Sequence, residues 1–260
     1  MAETLTDREQ RILELLSRSG SVTVQNLCDA LHVSPATARR ELQSLETKGR
    51  LRRTHGGAVP NEPLLYEGFR NDSSFKEQIG RHAEEKRRIA IAAAEMIMAG
   101  ETIALTSGTT TTLVTRNIPH RSGITIITST VNIAMELSNR ADITVVVTGG
   151  VLRPGWFSLV GPNAVDSVRH FFPDRVFVGT NGLDPERGVT TFNPEEMAVD
   201  RMMIRQAKQK IAVADHSKLG VVATCLVCPL DEIDMLITDT GATDEMVAAF
   251  EANGVRVIRV

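Results

Sequence analysis

From Glu101 onward, short β-branched runs alternate with amphipathic helical stretches, and this alternation restricts the chain to very few architectures. The runs are ETIALT, GITIITS, ITVVVTG, RVFVGT, KIAVAD, MLITD and VRVIRV. Between them lie stretches such as TTTTLVTRNI, VNIAMELSN, GPNAVDSVRHF, PEEMAVDRMMIRQA and TDEMVAAFEAN, with apolar residues at helical spacing. A strand that is apolar on both faces must be covered on both faces. A helix between successive strands returns the chain to begin the next one in parallel. The pattern therefore predicts an α/β domain with a mostly parallel sheet. Composition agrees: 42% hydrophobic but only 4% aromatic residues implies a core of Ala, Val, Ile and Leu. A single helix over about 75–99 is predicted ahead of the first strand, with Lys86, Arg87 and Arg88 on a solvated face.

The N-terminal part has a different pattern. Thr6 and Glu9 stand three apart before the stripe Ile12, Leu13, Leu15 and Leu16, the spacing of a capping box, and Gly20 is the expected stop. A second helix is expected from about Gln25 to Leu31. Ser34 followed by Pro35 then starts a third, ending at Gly49. Arg50 to Thr54 reads as a strand, His55-Gly56-Gly57 as a turn and Ala58-Val59 as the return. Residues 1–57 hold nine Lys/Arg against seven Asp/Glu, whereas the whole chain has a net charge of −3. Helix spacing alone leaves an ordinary helical hairpin open. The cap, the basic third helix and the basic hairpin together read as a winged helix-turn-helix that binds double-stranded DNA. Ser34, Thr37, Arg39 and Arg40 would approach the major groove, with Arg50, Arg52, Arg53 and His55 along the adjacent backbone. The expected division is 1–59 for this domain, 60–74 for a linker and 75–260 for the α/β domain.

In TSGTTTT, residues 106–112, a glycine turn rich in hydroxyls follows a strand and opens a helix. Such a turn offers backbone N–H groups to a phosphate. The alternative, on this stretch by itself, is a plain strand-to-helix turn with threonine caps. In a parallel α/β sheet, ligands lie where the loops after the strands converge. The candidate effector residues on these loops are therefore Ser107, Gly108, Thr109, Thr110, Thr111, Thr128, Asn132, Gly149, Gly150, Arg153, Gly182, Asp184 and Lys218. Trp156 and Phe157 could close over a ligand or pack a subunit interface.

RREL…LE..GRLRRTHGGA resembles the signature of DeoR-type bacterial transcriptional regulators, and later landmarks occur in the same order. These are EEKRRIA, TSGTTTT, TSTVNIAMEL, TGGVLRPGWFSLVG, GTNGLDPERGVTT, EEMAVDRMMI, ADHSKLG and DEIDMLITD. The resemblance implies a winged helix joined to a sugar-phosphate-sensing domain similar in fold to ribose-5-phosphate isomerase. It also implies a regulator, most often a repressor, of a carbohydrate-metabolism operon that responds to a phosphorylated sugar. The chain departs from the family at Thr106, where an Asp is usual, at Ser129, where an Asn is common, and at Asp200, where a Lys is frequent. The alternative is a sugar-phosphate isomerase-like enzyme with an appended helical domain. Asp184 and Glu196, the latter a further candidate effector residue, could resemble the isomerase's acidic residues, but the intervening PERGVTTFNPE has no lysine to stabilise an enediolate. Binding without turnover is the expectation.

No apolar run approaches the roughly 18 residues of a membrane span, and MAETLTDREQ lacks a signal-peptide core. Three cysteines do not describe a disulfide framework, and the pair Cys225 and Cys228 stands in an apolar run without a second pair. The reading is a cytoplasmic protein with no metal or other cofactor, forming a dimer or tetramer because operators carry paired half-sites.

Overall fold

The computed structural model describes residues 6–19, 21–60 and 73–260. It divides into two compact units, Met1–Arg70 and Asn71–Val260. Gly20 and residues 61–72 of the expected linker lie outside the described residues.

The first unit contains α1 (Asp7–Ser19), β1 (Val22–Thr23), α2 (Val24–Leu31), α3 (Pro35–Thr47), β2 (Leu51–Thr54) and β3 (Gly57–Pro60). The capping box forms: Glu9 N donates to Thr6 Oγ1 at 3.2 Å and Thr6 N to Glu9 Oε2 at 2.9 Å. Glu9 is also buried, taking Lys48 Nζ at 2.8 Å and Ser44 Oγ at 2.7 Å. These bonds, with Lys48 foremost, hold its carboxyl down at a pKa of about 2. Helix α2 starts one residue earlier than the sequence reading, because Thr23 caps it by accepting from Asn26 N at 3.1 Å. Ser34 caps α3 through Thr37 N at 3.2 Å, with Pro35 in the first turn. Ile12, Leu16, Leu27, Leu42, Leu45 and Leu51 form the core. The antiparallel sheet has the order β1-β3-β2, and a Cβ on Gly57 would meet the carbonyl of Val22, which requires glycine where these strands pair.

The second unit opens with two helices where the sequence predicts one. Helix α4 (Ser73–Gly80) stops at a glycine, and His82 then adopts a left-handed φ of 50° before α5 (Ala83–Glu95). A second correction concerns Lys86, which is 2% exposed rather than solvated. It lies three and four residues before Ile89 and Ala90, so it shares the helix face that packs inward.

The remaining elements are β4 (Thr102–Leu105), α6 (Thr109–Asn117), β5 (Ile124–Thr128), α7 (Val131–Leu137) and β6 (Ile143–Val147). They continue with β7 (Val151–Arg153), β8 (Ser158–Val160), α8 (Pro162–Val168), β9 (Arg175–Val178), β10 (Gly182–Asp184) and β11 (Gly188–Thr191). Last come α9 (Pro194–Gln206), β12 (Gln209–Val213), β13 (Cys225–Cys228), β14 (Met235–Thr238), α10 (Asp244–Glu251) and β15 (Arg256–Arg259). Seven strands form a parallel sheet in the order β15-β14-β12-β9-β4-β5-β6. One core cluster draws on α8, α9 and α10, and another on α5, α6 and α7. Two pieces lie outside the sequence prediction, the β7-β8 hairpin and the small antiparallel sheet β10-β11-β13. Their three- and four-residue strands are too short to show a period.

From β4 the chain builds outward through β5 and β6, whereas β9, β12, β14 and β15 extend the sheet in the other direction. The order therefore reverses between β4 and β9. Loops leaving the carboxyl ends of two such neighbours diverge and open a crevice, the usual ligand position of an open parallel sheet.

Candidate effector cleft and nucleic-acid surface

The crevice at the β4–β9 reversal is lined by Ser107, Gly108, Thr109 and Thr110 after β4 and by Gly179, Thr180 and Asn181 after β9. Asp215 and Lys218 after β12, Glu196 and Asp200 from α9, Gln78 from α4 and Lys86 from α5 complete it, with Trp156. Two glycines let the β4 and β9 loops touch. A Cβ on Gly108 would lie 3.7 Å from Gly179 Cα, and one on Gly179 would lie 3.0 Å from Ser107 O. Gly108 also has φ of 152°, a conformation that side chains rarely adopt.

The turn is held so that its amides are left for a ligand. The Gly108 carbonyl accepts from Thr111 Oγ1 at 2.9 Å, Thr112 Oγ1 at 2.7 Å and Thr112 N at 3.1 Å. Asn132 Nδ2 donates to Thr112 Oγ1 at 2.9 Å and so braces the turn from behind. Thr106 Oγ1 accepts from Gly179 N at 2.9 Å, tying the two loops together. The amides of Ser107 to Thr111 have no acceptor among the described residues. They are the orphan donors of the start of α6, at its positive dipole end.

Cations face this turn. Lys86 Nζ donates to the Gln78 carbonyl at 2.5 Å and lies 4.0 Å from Asp215 Oδ2. Burial depresses the Lys86 pKa; the nearby Asp215 opposes this, while Lys218 and Arg81 add to it. Lys218 is half-buried at the end of a short 3-10 turn, His216–Lys218, capped by Asp215. Asp239 anchors that turn, accepting from His216 N at 2.8 Å, with His216 Nδ1 2.8 Å from its other oxygen.

The carboxyls of α9 are in unlike states. Glu196 Oε1 accepts from Ser158 Oγ at 2.6 Å and pairs with Arg153 Nη1 at 2.9 Å. Arg153 also lies over the Trp156 ring, 5.6 Å from its centre. Asp200 is 5% exposed, and burial, with the Glu196 charge second, pushes its pKa well above the carboxylate range.

The structure thus brings Ser107, Gly108, Thr109, Thr110, Glu196 and Lys218 to one cleft, with Arg153 joined through Glu196. Thr111 and Asn132 stand behind the turn rather than in the cleft. Thr128 Oγ1 is spent on the Leu105 carbonyl at 3.0 Å. Gly149 and Gly150 are exposed ahead of β7, and a Cβ on Gly150 would lie 2.6 Å from Val160 O. Gly182 is a strand residue paired with Thr190, and Asp184 Oδ1 accepts from Glu186 N and Arg187 N in the following turn. Sequence reasoning missed Lys86 and Asp200 as lining groups. Only the position of Lys86 relative to Ile89 and Ala90 signals its burial.

In the first unit, Arg39, Arg40, Arg50, Arg52 and His55 are exposed, as is Ser34 at the start of α3. Thr37 is half-buried, its hydroxyl 2.9 Å from Ser34 Oγ. Arg53 is held: its Nη1 donates to Gln43 Oε1, and its amide donates to Glu46 Oε1 at 3.0 Å. The bound arginine stiffens the joint between α3 and the hairpin, and the other four arginines are free to meet phosphates or bases. Among the described residues no cluster of His, Cys, Asp and Glu could hold a metal, and no helix is long and apolar enough to cross a membrane.

Residues 8–63 match the DeoR-like helix-turn-helix domain, and residues 81–240 match the DeoR C terminal sensor domain. The HTH-type transcriptional regulator GlpR of Haloferax volcanii is 37% identical over 252 residues, spanning 97% of this chain and 96% of that protein. The glycerol-3-phosphate regulon repressor of Escherichia coli is 29% identical over 235 residues, spanning 90% of each. A ribose 5-phosphate isomerase A structure from Methanocaldococcus jannaschii aligns at 16% identity with a TM-score of 0.40, covering 53% of this chain and 54% of that one.

Proposed function

Because the chain belongs to the DeoR family of transcriptional regulators, we propose that it represses a carbohydrate-metabolism operon until a phosphorylated sugar occupies the β4–β9 cleft. The observation that carries this reading is the convergence of unpaired amides at Ser107 to Thr110 with Lys86 and Lys218. A dianion needs both kinds of group, donors of fixed direction and point charges. The repressor part follows the name of the glycerol-3-phosphate regulon repressor. On DNA, Arg39 and Arg40 at the start of α3 face the groove, while Arg50 and Arg52 on the hairpin take phosphates. Paired half-sites call for a homo-oligomer acting in the cytoplasm.

The cleft suits binding rather than isomerisation. Glu196 is engaged by Arg153 and Ser158, and Asp184 by two turn amides, so neither is a free base.

The test is mobility shift of the DNA flanking the chain's own gene, titrated with a panel of sugar phosphates. Lys218→Ala should keep operator affinity and lose the response, because a ligand shifts an equilibrium only through its differential affinity for the two states. No release by any sugar phosphate, or an unaltered response in Lys218→Ala, would count against the reading.

A further inference from the structure

The cleft contains a buried carboxyl with no hydrogen-bond partner among the described residues. Asp200 is 5% exposed and lines the crevice, and no group among the described residues hydrogen-bonds its carboxyl. It stands one helical turn after Glu196, on the same face of α9. The contrast between them is sharp: Glu196 has Arg153 at 2.9 Å and Ser158 at 2.6 Å. A buried carboxyl left without a partner is costly, and such groups in folded proteins ordinarily have one.

We propose that Asp200 selects the sugar end of the ligand, its carboxyl exchanging hydrogen bonds with a hydroxyl of a phosphate ester whose polyol part carries no charge. This rests on the phosphate reading of the cleft. The phosphate goes to the amides of the Gly108 turn and to Lys86 and Lys218, and the Asp200 carboxyl is left for the remainder of the molecule. Burial and the adjacent Glu196 favour the protonated form of Asp200, which offers one O–H donor and one carbonyl acceptor. A sugar hydroxyl meets both. A ligand ammonium would instead face Lys86, Lys218 and Arg153, which line or border the same cleft. A hydroxyl paired in this way discriminates strongly, because an analogue lacking it leaves the carboxyl buried and unpaired.

The experiment is calorimetric titration of the full chain, wild type, Asp200→Asn and Asp200→Ala. The probes are inorganic phosphate, a hexose 6-phosphate and its 2-amino counterpart. Asp200→Asn has the same shape and both hydrogen-bonding functions, so it guards against a folding defect. The expected result is equal phosphate affinity in all three proteins. Asp200→Ala should lose about tenfold for the hexose phosphate, and Asp200→Asn should stay within about threefold of wild type. Unchanged hexose-phosphate affinity in Asp200→Ala, with phosphate still bound, overturns the assignment of Asp200 alone. A wild-type preference for the amino compound that disappears in Asp200→Asn overturns the uncharged-polyol assignment. Failure of the wild type to bind inorganic phosphate or either sugar phosphate removes the cleft reading and this proposal with it.

Discussion

Lys86 Nζ lies 4.0 Å from Asp215 Oδ2, with both side chains almost fully buried at the bottom of one cleft. An ammonium removed from water but only partly neutralised is ready to take a second anion. Lys86→Met keeps the length and volume of the side chain and removes its charge. It should weaken inorganic phosphate at least tenfold by calorimetry, and it should also lower thermal stability because Asp215 loses its buried counter-charge. Wild-type phosphate affinity in this variant would exclude Lys86 from the site.

Trp156 is the single tryptophan of the chain, lines the cleft and carries Arg153 over its ring. Its fluorescence should therefore report the cleft. Saturation with an effector should shift or quench the emission, and Arg153→Met should change the emission of the free protein. Trp156→Phe should abolish the signal while calorimetric binding persists. Emission that stays constant at saturating effector would place the ligand elsewhere.

On the DNA surface, exposed Arg40 and Arg52 should behave differently. Arg40→Ala should reduce operator binding by about 1–3 kcal/mol if the guanidinium grips a base edge, and should reduce non-specific binding less. Arg52→Ala should weaken all sequences alike and flatten the salt dependence of log K by about one unit. Fluorescence anisotropy against salt concentration separates the two, and wild-type affinity in both variants would refute the placement.

The Glu9–Lys48 pair makes stability pH-dependent in a defined direction. Glu9 titrates at about 2 in the fold against an ordinary 4.5. Its contribution is therefore complete above about pH 4.5 and is lost as pH falls toward 2. The shift corresponds to about 3 kcal/mol at most. In urea unfolding followed by circular dichroism, Glu9→Gln should be less stable than wild type at pH 7, with the gap closing toward pH 2. A gap that stays constant from pH 7 to pH 2 would mean that the pair contributes nothing through ionisation.

Much of the architecture is legible because its signals are local. Thr6 and Glu9 stand three apart, Ser34 precedes Pro35, and each forms the cap that its spacing implies. The β-branched runs become the parallel strands because a run apolar on both sides has only a buried place to go. The strand-glycine-helix turn at Gly108 is likewise a local feature, and so its place ahead of α6 is readable in advance.

What sequence alone determined, then, was the caps of α1 and α3, the central strands and the glycine turn ahead of α6, since those depend on neighbours a few positions away. Tertiary structure decided which charged groups face that turn. EEKRRIA reads as a solvated run until packing shows which of its cations shares the face of Ile89 and Ala90. Asp184 and Glu196 look alike in sequence, yet one closes a turn and the other is held by Arg153. The isolation of Asp200 has no sequence signal, because an unpartnered carboxyl is defined by what β4, β9 and β12 bring around it. Those strands come from distant parts of the chain, and only the reversal of strand order sets their loops around one space.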